Sequence, residues 1–242
     1  EEAMRPADVP VRDAESRKKA EIYALYEEQC QREGVVDFGE LMLRSYEILR
    51  DHPLVRQHYQ RRFRHILVDE FQDTNRLQYL WLKLFAANAS SADQNAGIAP
   101  NAIFAVGDDD QSIYAFRGAR VGNMNDFVHE LGVKQQIKLE QNYRSFSNIL
   151  DSANALIGHN TRRLGKNLHT TQGAGEPVRI VELPSDMAEA QWLAEEIKQL
   201  INDGAERKEI AILYRSNAQS RVIESKLFNA AIPYRVYGGL RF

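Results

Sequence analysis

Read for the spacing of its apolar positions, the chain is a series of helical stripes broken by short, uniformly apolar runs. From Ala14 to Gly34 a charged, helix-favouring segment carries Ile22, Leu25 and Tyr26 on one stripe. Phe38 to Arg50 repeats the pattern with Phe38, Leu41, Met42 and Ser45. Both predict amphipathic helices whose stripes serve as packing faces. Ile66-Leu67-Val68 is a short apolar run, a strand candidate, ending in Asp69-Glu70. Asn75, with Gln78 three residues on, then predicts a helix cap, and Leu77, Leu80, Trp81, Leu84 and Phe85 fall on one helical face. The polar, Ala/Ser/Asn-rich stretch 86–101 reads as an exposed, mobile loop. A second strand candidate, Ala102 to Val106, ends in Gly107-Asp108-Asp109-Asp110-Gln111. A stripe of Met124, Phe127, Val128 and Leu131 leads to a third, Gln136 to Leu139, ending in Glu140-Gln141-Asn142-Tyr143-Arg144.

Strand, helix, strand, helix, strand is the order of an α/β fold with a parallel sheet and right-handed crossovers. Parallel strands end along one edge, and open α/β sheets bind ligands in the crevice there. The pattern therefore predicts that Asp69-Glu70, Gly107 to Gln111 and Gln141 to Arg144 share a rim. Beyond Arg144, Ile149 to Ile157 reads as a helix, followed by a small basic cluster of Arg162, Arg163 and Lys166 and a turn at Gly173-Ala174-Gly175-Glu176-Pro177. Strands are predicted at Val178–Leu183, Ile210–Tyr214 and Tyr234–Tyr237. Helices are predicted on the stripe Ala190, Leu193, Ile197, Leu200 and Ile201, stopped by Gly204, and over Ala218–Ala230. This is the start of a second α/β unit, with a boundary near Tyr143–Ser147.

Composition narrows the classes. At 242 residues the chain has room for one large domain or two small ones. No apolar run approaches the roughly 18 residues of a membrane span. The acidic opening, EEAMRPADVP, lacks the apolar stretch of a signal peptide. The single cysteine, Cys30, excludes an internal disulfide and a Cys-based zinc site, and fits a reducing, cytoplasmic compartment. A net charge of -3 argues against a histone-like basic coat but leaves room for a local nucleic-acid groove.

The three clusters carry compatible chemistry. A carboxylate after a strand, Asp69, can hold Mg²⁺, usually through water. The adjoining Glu70 can position or deprotonate an attacking water. Gln111 can hydrogen-bond a phosphate oxygen or that water. Tyr143 offers a ring for a base and Arg144 a fork for phosphate oxygens. Each alone has an ordinary reading as a cap, a solvated turn, a core ring or a surface ion pair; on one edge they describe a nucleoside triphosphate site. One part is missing. The only Gly-Lys pair, Gly165-Lys166, has Asn160 and Asn167 where a P-loop needs Gly and Ser or Thr. A two-metal nuclease built on Asp69, Glu70, Asp73 and Asp108–Asp110 would need carboxylates converging on ions about 4 Å apart. The Gly-led turn is expected instead to point two of its three aspartates to water.

The runs ILVDEFQDTN (Ile66–Asn75), VGDDDQSIYAFRGA (Val106–Ala119), LEQNYRS (Leu139–Ser145), ILYRSNAQSR (Ile212–Arg221) and IPYRVYGG (Ile232–Gly239) closely resemble, in order and spacing, the UvrD/PcrA/Rep family of superfamily 1 DNA helicases. The resemblance extends from about Val36 to the end. It implies two RecA-like domains that close on ATP and step 3′→5′ along single-stranded DNA, with single/double-strand junctions as substrates and repair or replication proteins as partners. It implies Asp69 as Mg²⁺ ligand, Glu70 as catalytic base and Gln111 as γ-phosphate sensor. Tyr143 would stack on adenine, Arg144 reach the γ-phosphate, and Tyr114, Phe116 and Arg117 face DNA. It places 1–35 in the helical end of an insertion, 36–144 in the first RecA-like domain (a partial P-loop NTPase fold) and 145–242 in a truncated second one. Phe116 stands where the family commonly has Trp, and the P-loop segment and the carboxy-terminal arginine motif are not in the chain. The expectation is a central fragment of a helicase, inactive alone. The alternative is a module that binds nucleotide or DNA without turnover.

Overall fold

The computed structural model describes residues 2–86, 101–161 and 163–237. Most of the stretch read above as a mobile loop lies outside the described residues, as do Arg162 and the closing 238–242. Two compact units are formed, Glu1–Gly175 and Glu176–Phe242. The first runs through helices α1 (Ala14–Glu33), α2 (Phe38–Asp51) and α3 (Pro53–Arg62), strand β1 (His65–Val68), helix α4 (Arg76–Phe85), strand β2 (Ala102–Ala105), and helices α5 (Gly122–Glu130) and α6 (Ser147–Ile157). The second holds α7 (Asp186–Asn202) and α8 (Asn217–Asn229). No helix among the described residues is long and apolar enough to cross a membrane.

β1 and β2 pair in parallel, with His65 opposite Ala102 and Val68 opposite Ala105. Successive strand side chains face opposite ways, so Ile66, Val68, Ile103 and Ala105 turn onto a core of Phe71, Tyr79, Leu82 and Phe127, joined by Met124, Leu131 and Val133. Leu67 and Phe104 point outward and are exposed. The predicted cap of α4 is present. Asn75 Oδ1 accepts the Gln78 N–H at 2.9 Å and Gln78 Oε1 accepts the Asn75 N–H at 2.9 Å, which satisfies two helix-end donors reciprocally.

Of the predicted face of α4, Leu77 and Phe85 are buried, and Tyr79 and Leu82 from outside it are buried too, because the helix is packed on two sides. Tyr79 and Leu82 enter the sheet core. On the other side Trp81 Nε1 donates to Ser45 Oγ of α2 at 2.8 Å, and Phe85 meets the rings of Tyr59 and Phe63. In α2 the helical period holds but its phase differs: Leu43 and Leu49 are buried, while Phe38 and Leu41 stand outward. α1 buries no residue, so Ile22, Leu25 and Tyr26 form no packing face among the described residues.

The third strand candidate, 136–139, forms no ladder among the described residues. An apolar run becomes a strand only where a neighbour offers a matching row of backbone donors and acceptors. Ile137 and Leu139 are exposed, and Lys138 Nζ reaches the Leu164 and Gly165 carbonyls at 3.1 and 2.6 Å. In the second unit α7 and α8 enclose Ala194, Ile197, Leu227 and Ile232. The candidates 178–183, 210–214 and 234–237 form no ladder among the described residues. Ile210 and Ile212 still turn inward while Leu213 is exposed, a strand-like alternation without a partner.

Candidate functional site

The common direction of β1 and β2 brings their following loops together. Val106 N–H donates to Val68 O at 2.8 Å, and Phe71 N–H donates to Val106 O at 3.0 Å. Between these contacts the chain reverses through Glu70, whose backbone is left-handed at φ 49° and ψ 44°. For a residue with a Cβ that costs on the order of 1–2 kcal/mol. Three bonds hold it there: Glu70 N–H to Asp69 Oδ1 at 2.9 Å, Asp73 N–H to Glu70 O at 3.0 Å, and Gln72 Nε2 to Glu70 Oε2 at 2.7 Å. Asp69 and Glu70 both remain exposed. Asp73, in the same turn, has its Oδ1 buried without a hydrogen-bond partner among the described residues.

Gln72 is only 1% exposed. Its Nε2 serves Glu70, and its Oε1 accepts the Asp108 N–H of the second loop at 2.9 Å. Gly107 is packed tightly here: a Cβ at that position would lie 2.9 Å from Gln72 Oε1 and 3.2 Å from Phe71 Cβ. Gln111, exposed at the end of a 3-10 turn (Asp109–Gln111), donates its side-chain amide to Asp108 Oδ2 at 2.6 Å. Burial pushes the Asp108 pKa up, but the Lys166 ammonium and the Gln111 amide outweigh it and hold that carboxyl below its usual range.

The aspartate run does not face water as expected. Asp108 pairs with Lys166; Asp110 takes Arg163 through Nε at 2.9 Å and Nη2 at 2.5 Å; Asp109 Oδ2 accepts the Leu164 N–H at 2.6 Å. The Asp110 carboxylate raises the Arg163 pKa. One oxygen from each aspartate lies within 4.8 Å of the others. A Lys, an Arg and a backbone donor already occupy the set, so the run acts as the socket of a clasp formed by 163–166.

The third cluster is attached through the same segment, not through a third strand. Asn142 N–H donates to His169 O at 2.7 Å, His169 N–H to Glu140 O at 3.0 Å, and Asn167 N–H to Glu140 Oε1 at 2.9 Å. Asn142 Oδ1 accepts the Arg144 and Ser145 N–H groups at 2.9 and 2.8 Å. Tyr143 and Arg144 are exposed. The Arg144 guanidinium has no hydrogen-bond or ion-pair partner among the described residues, and no such bond joins either residue to Glu70 or Gln111. Tyr114, Phe116 and Arg117 do gather. The Arg117 guanidinium carbon lies 4.9 Å from the Tyr114 ring centre and 5.3 Å from that of Phe116, whose ring is 69% exposed.

The structure therefore joins Asp69-Glu70 directly to Gly107–Gln111 and tethers Tyr143-Arg144 by way of 163–169. Sequence reading missed Gln72 and left the Arg163 and Lys166 cluster without a role. Gln72 lies within the polar run that follows β1, two positions from Glu70, and no pattern in that run sets it apart.

Residues 2–132 match the family model of the UvrD/REP helicase N-terminal domain, and residues 137–242 match that of the UvrD-like helicase C-terminal domain. The chain belongs to the UvrD/Rep helicase family. Among its curated relatives within that family, DNA helicase II of Haemophilus influenzae is 46% identical over 243 residues, covering 100% of this chain and 32% of the relative. DNA helicase II of Escherichia coli is 48% identical over 91% of the chain and 29% of the relative. ATP-dependent DNA helicase UvrD1 of Mycobacterium tuberculosis is 42% identical over 94% and 29%. The chain thus spans about a third of the length of these UvrD/Rep helicases.

Proposed function

We propose that this chain forms part of an ATP-driven DNA helicase, one that couples hydrolysis to 3′→5′ movement along single-stranded DNA and to duplex opening in repair or replication. The observation that carries the reading is the parallel register of β1 and β2, which sets an Asp-Glu pair beside a Gln-bearing loop on one edge, in a chain whose named relatives are DNA helicases. In this reading 1–35 close an insertion, about 36–144 form the later part of a first RecA-like domain and 145–242 the earlier part of a second; the two family-model spans, 2–132 and 137–242, support a division into two parts.

The donor set fits a hard, hydrated cation. Asp69 gives one oxygen to a backbone N–H and keeps the other at an exposed edge, where it would hold Mg²⁺ through water. When bound, Mg²⁺ supplies charge neutralisation at the phosphates. Glu70, fixed by Gln72, positions and deprotonates the attacking water. Gln111 senses the γ-phosphate with an amide that rests on Asp108. The unpaired guanidinium of Arg144 suits bidentate phosphate binding, and the exposed Tyr143 ring suits stacking on adenine. Tyr114, Phe116 and Arg117 present rings and a cation together, a combination that binds single strands without regard to sequence.

The test is Glu70→Gln in the full-length gene product. DNA-stimulated ATP hydrolysis should fall by roughly 100-fold or more, with affinities for ATP and single-stranded DNA within about twofold of wild type. Undiminished turnover removes Glu70 from this role. Wild-type protein that binds both ligands yet never hydrolyses ATP is a binding module instead. The 242-residue chain, in which no Gly-Lys pair carries the P-loop pattern, should show no turnover by itself.

A further inference from the structure

We infer that Gln72 is a positioning residue that locks the Glu70 carboxylate to the Gly107–Gln111 loop, so that the proposed base and the proposed sensor move as one piece. Gln72 touches neither phosphate nor water in this assignment; it acts through Glu70, and the inference rests on the hydrolytic reading above. Four observations converge on it. The side chain is 1% exposed although Gln is ordinarily a surface residue. Both ends of its amide are engaged, Nε2 with Glu70 Oε2 at 2.7 Å and Oε1 with Asp108 N–H at 2.9 Å. The bonds run to different loops, one after β1 and one after β2. The loop it crosses carries no side chain at Gly107, where a Cβ would come within 2.9 Å of that same Oε1.

The geometry gives the amide a task that a merely space-filling side chain would not need. Glu70 sits in a left-handed backbone conformation on an exposed edge. Without an anchor its carboxylate is free to rotate about side-chain torsions that water does nothing to restrict. A donor at 2.7 Å selects one orientation. The same amide fixes the backbone of Asp108, whose carboxylate receives the Gln111 amide at 2.6 Å. Glu70, Gln72, Asp108 and Gln111 thus form a continuous polar path in which one buried amide bridges the two loops, beside a longer contact from Ser112 Oγ to the Gln72 carbonyl at 3.5 Å.

The experiment uses the full-length gene product with Gln72→Met, which keeps the volume and removes both hydrogen bonds. Gln72→Asn keeps the amide but is one methylene short of spanning both partners. Each should lower kcat for DNA-stimulated ATP hydrolysis by roughly 10- to 100-fold, the scale of a misplaced catalytic group, while KM for ATP and Kd for single-stranded DNA stay within about twofold. The deciding measurement is a double-mutant cycle. In the Glu70→Gln background, Gln72→Met should change the residual kcat by less than about twofold, because the group it positions is gone. If Gln72→Met does not fold, Gln72→Asn carries the cycle. Folded variants with wild-type kcat overturn the inference and leave the hydrolytic reading standing. So does a kcat loss of equal size in both backgrounds, which marks a general structural role. A wild-type protein without ATP hydrolysis defeats the underlying reading, and this inference with it.

Discussion

Gly107→Ala puts a single methyl group where the two loops meet. Gly107 has no left-handed backbone, so alanine escapes the penalty of that conformation there, and the steric cost is set against the same unfolded-state gain of about 0.4–1 kcal/mol that any Gly→Ala change brings. The added carbon would stand 2.9 Å from Gln72 Oε1, 3.2 Å from Phe71 Cβ and 3.3 Å from the Gln72 backbone nitrogen. None of these is a free end. Phe71 is 2% exposed and lies 5.0 Å from the Phe127 ring, and Gln72 is tied at both ends of its amide. Overpacking of such a site costs about 1–3 kcal/mol. If Oε1 is pushed off the Asp108 N–H, a buried donor is left unmet, which costs a further ~1–3 kcal/mol. Gly122→Ala is the internal control. Its Cβ meets nothing within 4 Å at the start of α5, and alanine there should stabilise by about 0.4–1 kcal/mol. Urea unfolding of the three proteins, with m-values compared, gives the two differences directly. A Gly107→Ala protein within about 0.5 kcal/mol of wild type, beside a Gly122→Ala protein that behaves as stated, would refute the claim that the loops are locked.

Phe116→Ala removes the more exposed of the two rings that flank Arg117. At about 1–3 kcal/mol per stacked base it should weaken single-strand binding roughly 5- to 150-fold, read by anisotropy of a labelled oligonucleotide; unchanged affinity excludes this ring from the DNA interface. Lys166→Met opens the clasp on Asp108 and should destabilise by about 1–3 kcal/mol at neutral pH, because a part-buried carboxylate loses its cation. The folded-state pKa of Asp108 lies below its ordinary 3.8, so the contribution of the pair is present above that value and disappears as pH falls through the lowered one. The stability gap between wild type and Lys166→Met should therefore close on acidification below about pH 4; a gap of constant size would show that it does not arise from the charge on Asp108.

What the sequence made legible was local or strongly periodic. The β1 and β2 runs, the Asn75 cap with Gln78 and the loops that follow each strand are where pattern and turn chemistry placed them. The failures share a cause, in that they depended on neighbours. Alternation at 210–214 chooses which residues face a core but cannot supply a partner strand. Along α2, Ser45 of the predicted stripe does meet α4, at Trp81, while the residues that are buried, Leu43 and Leu49, lie off that stripe. The orientation of Asp108, Asp109 and Asp110 was fixed by Arg163, Leu164 and Lys166, more than fifty positions away. Gln72 carries no periodic signal at all; only its two hydrogen bonds reveal it.

The clasp has a practical meaning for anyone dividing this protein into pieces. The family-model boundary, between 132 and 137, would leave the aspartate run on one fragment and Arg163 and Lys166 on the other. Such a cut strands three carboxylates side by side, two without their counter-charges and the third without its backbone donor. A fragment ending after Gly175 keeps both sides of the joint together and coincides with the edge of the first compact unit, which makes it the natural length to express.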